Sequence, residues 1–196
     1  MRRLLPIHTL LLLLCLGLIA GCAPGRVDEV RDDRETADGS RSFTDSIDDQ
    51  RLRGRIIGHI LNDPELQDRS HINVTVFNGV VLLTGEVRSR DPARALARFA
   101  EAQDATRRVH NELVVADLSS VMARSRDNVM QSSARTRIRL LTEPEGFDHR
   151  RVLARAERRR LYLLGSVTRA EGEAITEAVR RISGVREVVR LFDYRD

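Results

Sequence analysis

The chain has 196 residues, 33 of them basic and 29 acidic, and every basic residue is an arginine. This length allows one ordinary domain or two small ones, and a composition with 41% hydrophobic residues can fold without forming one large apolar core. There is no Trp, and only two Tyr and five Phe, which argues against binding of single-stranded nucleic acid by aromatic stacking. A pI near 9.9 keeps nucleic acid and anionic membranes as candidate partners until the arginines are located.

The N-terminal segment predicts export and lipidation. Arg2 and Arg3 precede an apolar run that is too short for a comfortable transmembrane span and typical of a secretory signal. The run ends in Leu-Ile-Ala-Gly-Cys at residues 18–22, which resembles the bacterial lipobox, whose cysteine thiol takes a diacylglycerol and becomes the new N-terminus. We therefore expect residues 1–21 to be a lipoprotein signal peptide and Cys22 to be lipidated. The alternative is a plain secretory signal with a chance cysteine.

The remaining cysteine count agrees with this prediction. Cys15 leaves with the signal, so Cys22 is the one cysteine left, and neither a disulfide nor a free thiol for catalysis or metal binding is expected. Ala23 follows the lipobox cysteine and is not Asp, which for enteric-type lipoproteins implies transport to the outer membrane. The expected location is the periplasmic face of the outer membrane, with the lipid as anchor.

An acidic stretch follows the expected anchor. Residues 23–50 carry four arginines against nine acidic residues, a net charge of −5, and their few apolar residues have no period. We predict that residues 22–47 comprise the lipidated cysteine and a disordered acidic tether.

The rest of the chain contains an internal repeat. Leu61–Gly85 and Leu141–Gly165 have similar patterns at an offset too long for a solenoid repeat. We therefore predict two tandem small domains, at residues 48–117 and 118–196.

The first copy reads as helix, strand, strand, helix, strand. Its first helix is expected to begin near Asp48-Asp49 and to end before Pro64. A strand with one buried face, around Val74, leads to Asn78-Gly79, a pair that favours a type I′ hairpin turn. A return strand, a second helix opened by Asp91-Pro92 and a final strand complete the copy.

The second copy repeats this order. Apolar residues at 130, 134, 138 and 141 share one helical face, and alternating residues at 152–156 begin a hairpin. Arg158-Arg159 stands where the first copy has Asn78-Gly79, so this hairpin is expected to be less well specified. A helix over about 170–182 and a last strand follow, with a break at Ser183-Gly184.

Both copies resemble the BON domain (bacterial OsmY and nodulation domain). The first copy matches at Asn62-Asp63-Pro64, at Asn78-Gly79, at Val-x-Leu-x-Gly-x-Val in residues 81–87 and at Val109-x-Asn111. The second copy matches at residues 161–167 and 184–188. The resemblance covers about residues 48–117 and 126–194. It implies an α+β fold in which each αββαβ domain has two helices on a three-stranded mixed sheet. It also implies an outer-membrane lipoprotein that maintains envelope integrity and binds phospholipid.

The arginines concentrate in the second copy. Residues 51–117 have a net charge of +1 and residues 118–196 a net charge of +6. Gln131, Arg135 and Arg139 are expected to project from one side of the first helix of the second copy, in the region to which the resemblance assigns membrane contact. Arg135 and Arg139, one turn apart, can hold one anionic headgroup. The helix has no aromatic residue to insert between acyl chains, so electrostatic lipid binding is expected; the alternative is a solvated helix face.

Arg158, Arg159 and Arg160 form a second basic cluster at the expected hairpin tip. Their like charges repel unless an anion binds, which makes them further candidates for headgroup contact; the alternative is a solvated loop tip.

Gly54 and Gly58 form a Gly-x-x-x-Gly pair in the first helix, which is not a membrane helix. Since each glycine costs a helix up to about 1 kcal/mol, we expect close packing of this helix on the sheet to require them.

These patterns predict a non-enzymatic envelope protein. The histidines lack metal-ligand spacing, and there is no phosphate-binding glycine loop or nucleophile elbow, so no catalytic residue, metal or cofactor is expected. The expected partners are the outer membrane, through the N-terminal lipid, and anionic phospholipid, with no nucleic acid. The alternative function is a protein-interaction module that docks on outer-membrane assembly machinery or self-associates.

Overall fold

A computed structural model of the chain describes residues 43–67 and 70–196, all of which lie in one compact unit. The predicted signal peptide, Cys22 and most of the predicted tether lie outside the described residues. The elements form two repeats with the same order, in each of which helices pack on a three-stranded mixed sheet. The predicted α+β fold is confirmed.

The first repeat runs from residue 43 to residue 115. It contains α1 (Phe43–Asn62), the four-residue α2 (Pro64–Gln67), β1 (His71–Phe77), β2 (Val80–Val87), α3 (Arg90–Glu101) and β3 (Arg108–Val115). Strand β2 is central, antiparallel to β1 and parallel to β3. Helix α3 is the crossover that a parallel strand pair requires.

The second repeat runs from residue 121 to residue 194. It contains α4 (Val121–Arg139), a 3₁₀ turn (His149–Arg151), β4 (Val152–Glu157), β5 (Arg160–Val167), α5 (Arg169–Arg180) and β6 (Glu187–Tyr194). Its central strand β5 is antiparallel to β4 and parallel to β6. The two repeats therefore share one topology.

Each repeat has its own core between its helices and one face of its sheet. Successive strand side chains point to opposite faces, so Val81 and Leu83 of β2 meet Leu52 and Ile56 of α1 and Leu96 of α3. The second core consists of equivalent residues, among them Met130, Ala134, Ile138, Leu161, Leu163, Val167, Ile175 and Val179.

A third cluster joins the two sheets face to face. Phe77, Val80 and Leu82 of the first repeat pack with Tyr162 and Leu164 of the second. All eight residues of β2 are consequently buried, and the layers run helix, sheet, sheet, helix.

The expectation of a single buried face in the first strand is therefore wrong. Thr75 and Phe77 lie on the face of β1 opposite Val74 and Val76, and all four are buried. The second repeat covers the face that a lone domain would leave to water.

The start of α1 also differs from the prediction. The helix begins at Phe43, ahead of Asp48-Asp49. Asp49 is buried and its carboxylate accepts hydrogen bonds from the backbone N–H groups of Asn78 and Gly79, both at 2.8 Å. Asp49, which the sequence places at the helix start, instead lies within α1 and holds the β1–β2 turn against this helix.

The second repeat contains the same fastening. Both carboxylate oxygens of Asp127, in α4, accept hydrogen bonds from the backbone N–H groups of Arg158 at 2.9 Å and Arg159 at 3.0 Å. The φ values of these two arginines are 51° and 65°, against 49° and 72° at Asn78 and Gly79, which is the signature of a type I′ turn. The expectation of a poorly specified second hairpin is wrong, because Asp127 specifies it from outside the turn.

The Gly-x-x-x-Gly pair has no packing role in the structure. A Cβ atom built at Gly54 or Gly58 meets nothing within 4 Å, so the expectation of close packing there is wrong. By contrast, a Cβ atom at Gly85 would lie 1.8 Å from the carbonyl oxygen of His71, and the φ of Gly85 is +117°. Close approach of β1 thus requires glycine in β2.

We expect Gly54→Ala and Gly58→Ala each to raise the free energy of unfolding, by up to about 1 kcal/mol, because alanine costs a helix less backbone entropy and has room here. Urea denaturation followed by circular dichroism measures the change. Gly85→Ala is the matched control and should destabilise the fold; a loss of stability in both helix variants would contradict the open space around their Cβ positions.

We expect Asp49→Ala to lower the free energy of unfolding by about 3 kcal/mol, because it leaves one buried and one part-buried backbone N–H group without their charged acceptor. The neighbouring Asp48→Ala is the control. Asp48 is exposed and forms a surface ion pair with Arg51, so its loss should cost less than about 1 kcal/mol. Equal effects of the two substitutions in urea denaturation would show that the turn is not held by Asp49.

Candidate functional site

Helix α4 carries the main candidate surface. Its N-cap Ser120 accepts a hydrogen bond from the N–H of Ala123 at 3.2 Å. The buried side of α4 packs Met130, Ala134 and Ile138 into the second core, as the sequence predicts. The half of its circumference opposite these residues is exposed to solvent.

One margin of the exposed half of α4 is basic. Arg135 and Arg139 are exposed, one turn apart, and form no ion pair with any residue that the structure describes. They line a cavity of about 190 Å³ together with His149 and Arg150. Gln131, the third residue predicted on this side, instead accepts a hydrogen bond from the N–H of Ala156 in β4 at 3.3 Å. Arg135 and Arg139 therefore present the charge, and Gln131 joins α4 to the sheet.

The other margin of the exposed half is apolar. Met122 is 64% exposed and Val129 is 65% exposed, and a spacing of seven residues places them on the same side of the helix. Small polar residues separate this margin from the arginines: Ser125, Ser132 and Thr136. The expectation that only an aromatic side chain could insert into a membrane misses Met122 and Val129, although their spacing opposite the buried residues signals them.

The arginines at the second hairpin tip bind within the chain. Arg158 Nη1 lies 2.8 Å from Glu86 Oε1, and Arg160 Nη1 lies 2.7 Å from Glu112 Oε2. Arg159 Nε donates to the carbonyl oxygen of Gly184 at 2.9 Å. Glu86 and Glu112 belong to the first repeat. The anions beside the tip arginines are therefore carboxylates of the chain itself, and the candidate lipid surface does not include the tip.

Glu86 is the buried end of that connection. Its side chain is 0% exposed, and burial alone would raise its pKa. Hydrogen bonds from Ser119 and Arg158 outweigh burial, however, and hold the pKa of Glu86 below its ordinary value. A charged pair thus joins the two repeats beside their shared apolar cluster.

Glu157 lies at the same junction, but its pKa is raised instead of lowered. Burial raises its pKa from 4.5 to about 7, against the effect of a 2.7 Å hydrogen bond from Asn73 of the first repeat, and the negative charges of Glu86 and Asp127 add to the rise. The junction therefore favours the protonated carboxyl group.

The folded state binds the Glu157 proton more tightly than the unfolded state, so this group's contribution to stability is present below pH 4.5 and is lost as the pH rises through about 7. Between pH 5 and pH 8, ionisation of Glu157 should therefore lower the free energy of unfolding of the wild-type protein by about 2 kcal/mol. We expect Glu157→Gln, which mimics the protonated form, not to show this loss.

Urea denaturation at the two pH values, compared between variant and wild type, measures this difference. Comparison at matched pH cancels other titrating groups, such as His110, whose pKa is lowered by burial and by the charge of Arg108. Glu101→Gln, at an exposed position in α3, is the control. An identical pH dependence in wild type and Glu157→Gln would contradict the raised pKa.

Two further properties concern the described part of the chain. Within residues 43–67 and 70–196, no three His, Cys, Asp or Glu side chains group so that they could hold a metal ion. Over the same ranges, no helix has the length and hydropathy needed to cross a bilayer.

Comparison with known proteins extends these observations. The model of the BON domain family matches residues 48–117 and 133–196. The chain is 26% identical over 162 residues to the outer membrane lipoprotein DolP of Haemophilus influenzae, across 83% of this chain and 82% of that protein. It is 23% identical over 154 residues to a 21 kDa hemolysin of Actinobacillus pleuropneumoniae, across 79% of this chain and 78% of that protein.

Among solved structures, the C-terminal domain of CdsD, a structural protein of the type III secretion system of Chlamydia trachomatis, aligns at 12% identity with a TM-score of 0.28. The alignment covers 76% of this chain and 67% of that one.

Proposed function

The chain belongs to the BON domain family, with two copies of the domain, and from this premise we propose a non-enzymatic lipoprotein that supports outer-membrane integrity by contacting anionic phospholipid. Similarity over about four fifths of its length to an outer membrane lipoprotein agrees with the lipobox at residues 18–22. Its location is the periplasmic face of the outer membrane, held by a lipid anchor that we assign to Cys22.

The main support for the lipid contact is the pattern of side chains on the exposed half of α4. Arg135 and Arg139 point to solvent without carboxylate partners among the described residues, and each arginine near an anionic membrane surface contributes about 1 kcal/mol. Met122 and Val129 on the opposite margin supply apolar area for the interface between headgroups and acyl chains. Contact through this helix would combine both contributions.

The charge distribution supports the same surface. The second repeat lies within residues 118–196, with a net charge of +6, while residues 51–117 have a net charge of +1. An anionic bilayer therefore attracts the second repeat more strongly than the first.

We expect the chain from residue 23 to residue 196 to float with vesicles that contain phosphatidylglycerol and not with vesicles of phosphatidylcholine alone. This chain retains every described core and inter-repeat contact. Replacement of both Arg135 and Arg139 by Glu should weaken the binding about tenfold or more at low salt, because attraction becomes repulsion. Flotation at increasing salt measures the electrostatic share.

The matched control replaces Arg94 and Arg98, two exposed arginines one turn apart on α3, by Glu. Replacement of Met122 and Val129 by Ser should reduce the binding that survives at high salt. Indifference of the wild-type chain to phosphatidylglycerol, or equal losses in the α3 and α4 charge variants, would refute the contact through α4.

A second candidate function is a protein-interaction module. The exposed Leu118, Val121 and Met122 favour it, since contiguous apolar side chains on a surface often mark a protein contact. The partner would be outer-membrane assembly machinery or a second copy of the chain. Crosslinking in cells separates the two functions: a saturable protein partner, with no response to lipid, favours this one.

A further inference from the structure

A cleft between the two repeats encloses a cavity of about 290 Å³. Its walls come from α1 and the hairpin of the first repeat and from α4 and β4 of the second. Neither repeat alone forms it. Three arginines line it: Arg53, Arg124 and Arg155.

Two of these arginines are held in place by their Nε atoms. Arg155 Nε donates to Thr75 Oγ1 at 3.0 Å, across the junction of the repeats. Arg53 Nε donates to the carbonyl oxygen of Val74, also at 3.0 Å. Neither guanidinium forms an ion pair with a residue that the structure describes. Their terminal nitrogens are thus oriented and still able to bind an anion.

The positive charges in the cleft repel one another. Burial lowers the pKa of Arg155, and the nearby charges of Arg135 and Arg53 lower it further. An anion among these groups would relieve the repulsion and replace the water that burial removes from Arg155.

The carboxylates of the same wall compensate this charge only in part. Both oxygens of Asp127 accept hydrogen bonds from backbone N–H groups of the β4–β5 turn. Glu157 has a pKa of about 7, so it is ionised in only about half of the molecules at neutral pH. Three arginines therefore outweigh the acids that line the cavity.

We propose that this cleft binds a phosphate group, with Arg53 and Arg155 as its guanidinium donors. The planar fork of a guanidinium matches the oxygens of a phosphate and can bind two of them at once. The volume lies at the lower limit of ordinary ligand sites, so the cleft has room for a phosphate group with a small substituent but not for acyl chains. The source is either free inorganic phosphate or the phosphodiester of a lipid headgroup. Its guanidinium donors differ from those of the contact that we propose for the exposed half of α4, although Arg135 of that contact lies near enough to act on Arg155.

Isothermal titration calorimetry of residues 23–196 tests this site with two probes: inorganic phosphate and glycerophosphoglycerol, an acyl-free headgroup diester. One site per chain is expected for at least one probe. Arg53→Gln should raise its Kd about tenfold or more, since it removes one charge-assisted pair. Arg155→Lys, which keeps the charge but loses the fork, should also weaken binding. Arg94→Gln, at an exposed position on α3, should leave the Kd unchanged.

The two probes distinguish the source of the phosphate. Tighter binding of the diester identifies a headgroup, and binding of inorganic phosphate alone identifies the free ion. Because Arg155 also joins the repeats, the Arg53→Gln variant decides the outcome, and thermal unfolding verifies that it is folded.

Absence of binding for both probes, or a Kd unchanged in Arg53→Gln, would overturn the proposal. Vesicle flotation of Arg53→Gln tests the proposed lipid contact independently of phosphate binding in the cleft. Flotation that persists in Arg53→Gln but is lost when Arg135 and Arg139 are replaced by Glu would leave the lipid contact of α4 standing without the cleft.

Discussion

A three-stranded sheet with helices on one side leaves its other side uncovered, and the whole described structure follows from how this chain covers it. Each sheet has apolar residues on both faces of its central strand. The faces that point away from the helices meet each other and bury Phe77, Leu82 and Tyr162. Burial of this kind contributes about 25 cal/mol per Å² of apolar surface, which holds two small repeats together as a single body. The polar contacts at the edge of the cluster, such as that between Arg158 and Glu86, then have a fixed geometry.

This packing also determines what each basic residue can do. Arg160 and Arg158 lie at the junction, where carboxylates of the first repeat are within reach, and there they stabilise the contact between the repeats. Arg135 and Arg139 lie on the far side of α4 and meet no such partner among the described residues. For the arginines of the hairpin tip and of α4, a carboxylate within reach thus separates those that stabilise the fold from those that are open to a ligand.

The sequence predicts the order of elements, the repeat and the family, because each depends on local periodicity and on a pattern that recurs after 80 residues. It does not predict the contact between the repeats. Asn73 and Thr75 alternate with apolar residues in β1 as they would on a solvated strand. Only the apolar run over residues 80–83, at the start of β2, indicates that both faces are buried. The carboxylate partners of the tip arginines were equally hidden, since Glu86 lies 72 residues before Arg158. Arg135 and Arg139 could be identified because helical spacing alone places them on one exposed side.

The aspartates that fasten the two hairpins have a consequence for the chemistry of the turns. A type I′ turn ordinarily draws its stability from its own two residues, which restricts them to Asn, Asp and Gly. Here Asp127 holds the backbone of the turn from a neighbouring helix, so the turn positions no longer have to encode their own conformation. The second repeat fills them with long cationic side chains, one of which reaches the first repeat. Because a helix carboxylate holds the backbone of the turn, the two side chains of the turn are free to form tertiary contacts.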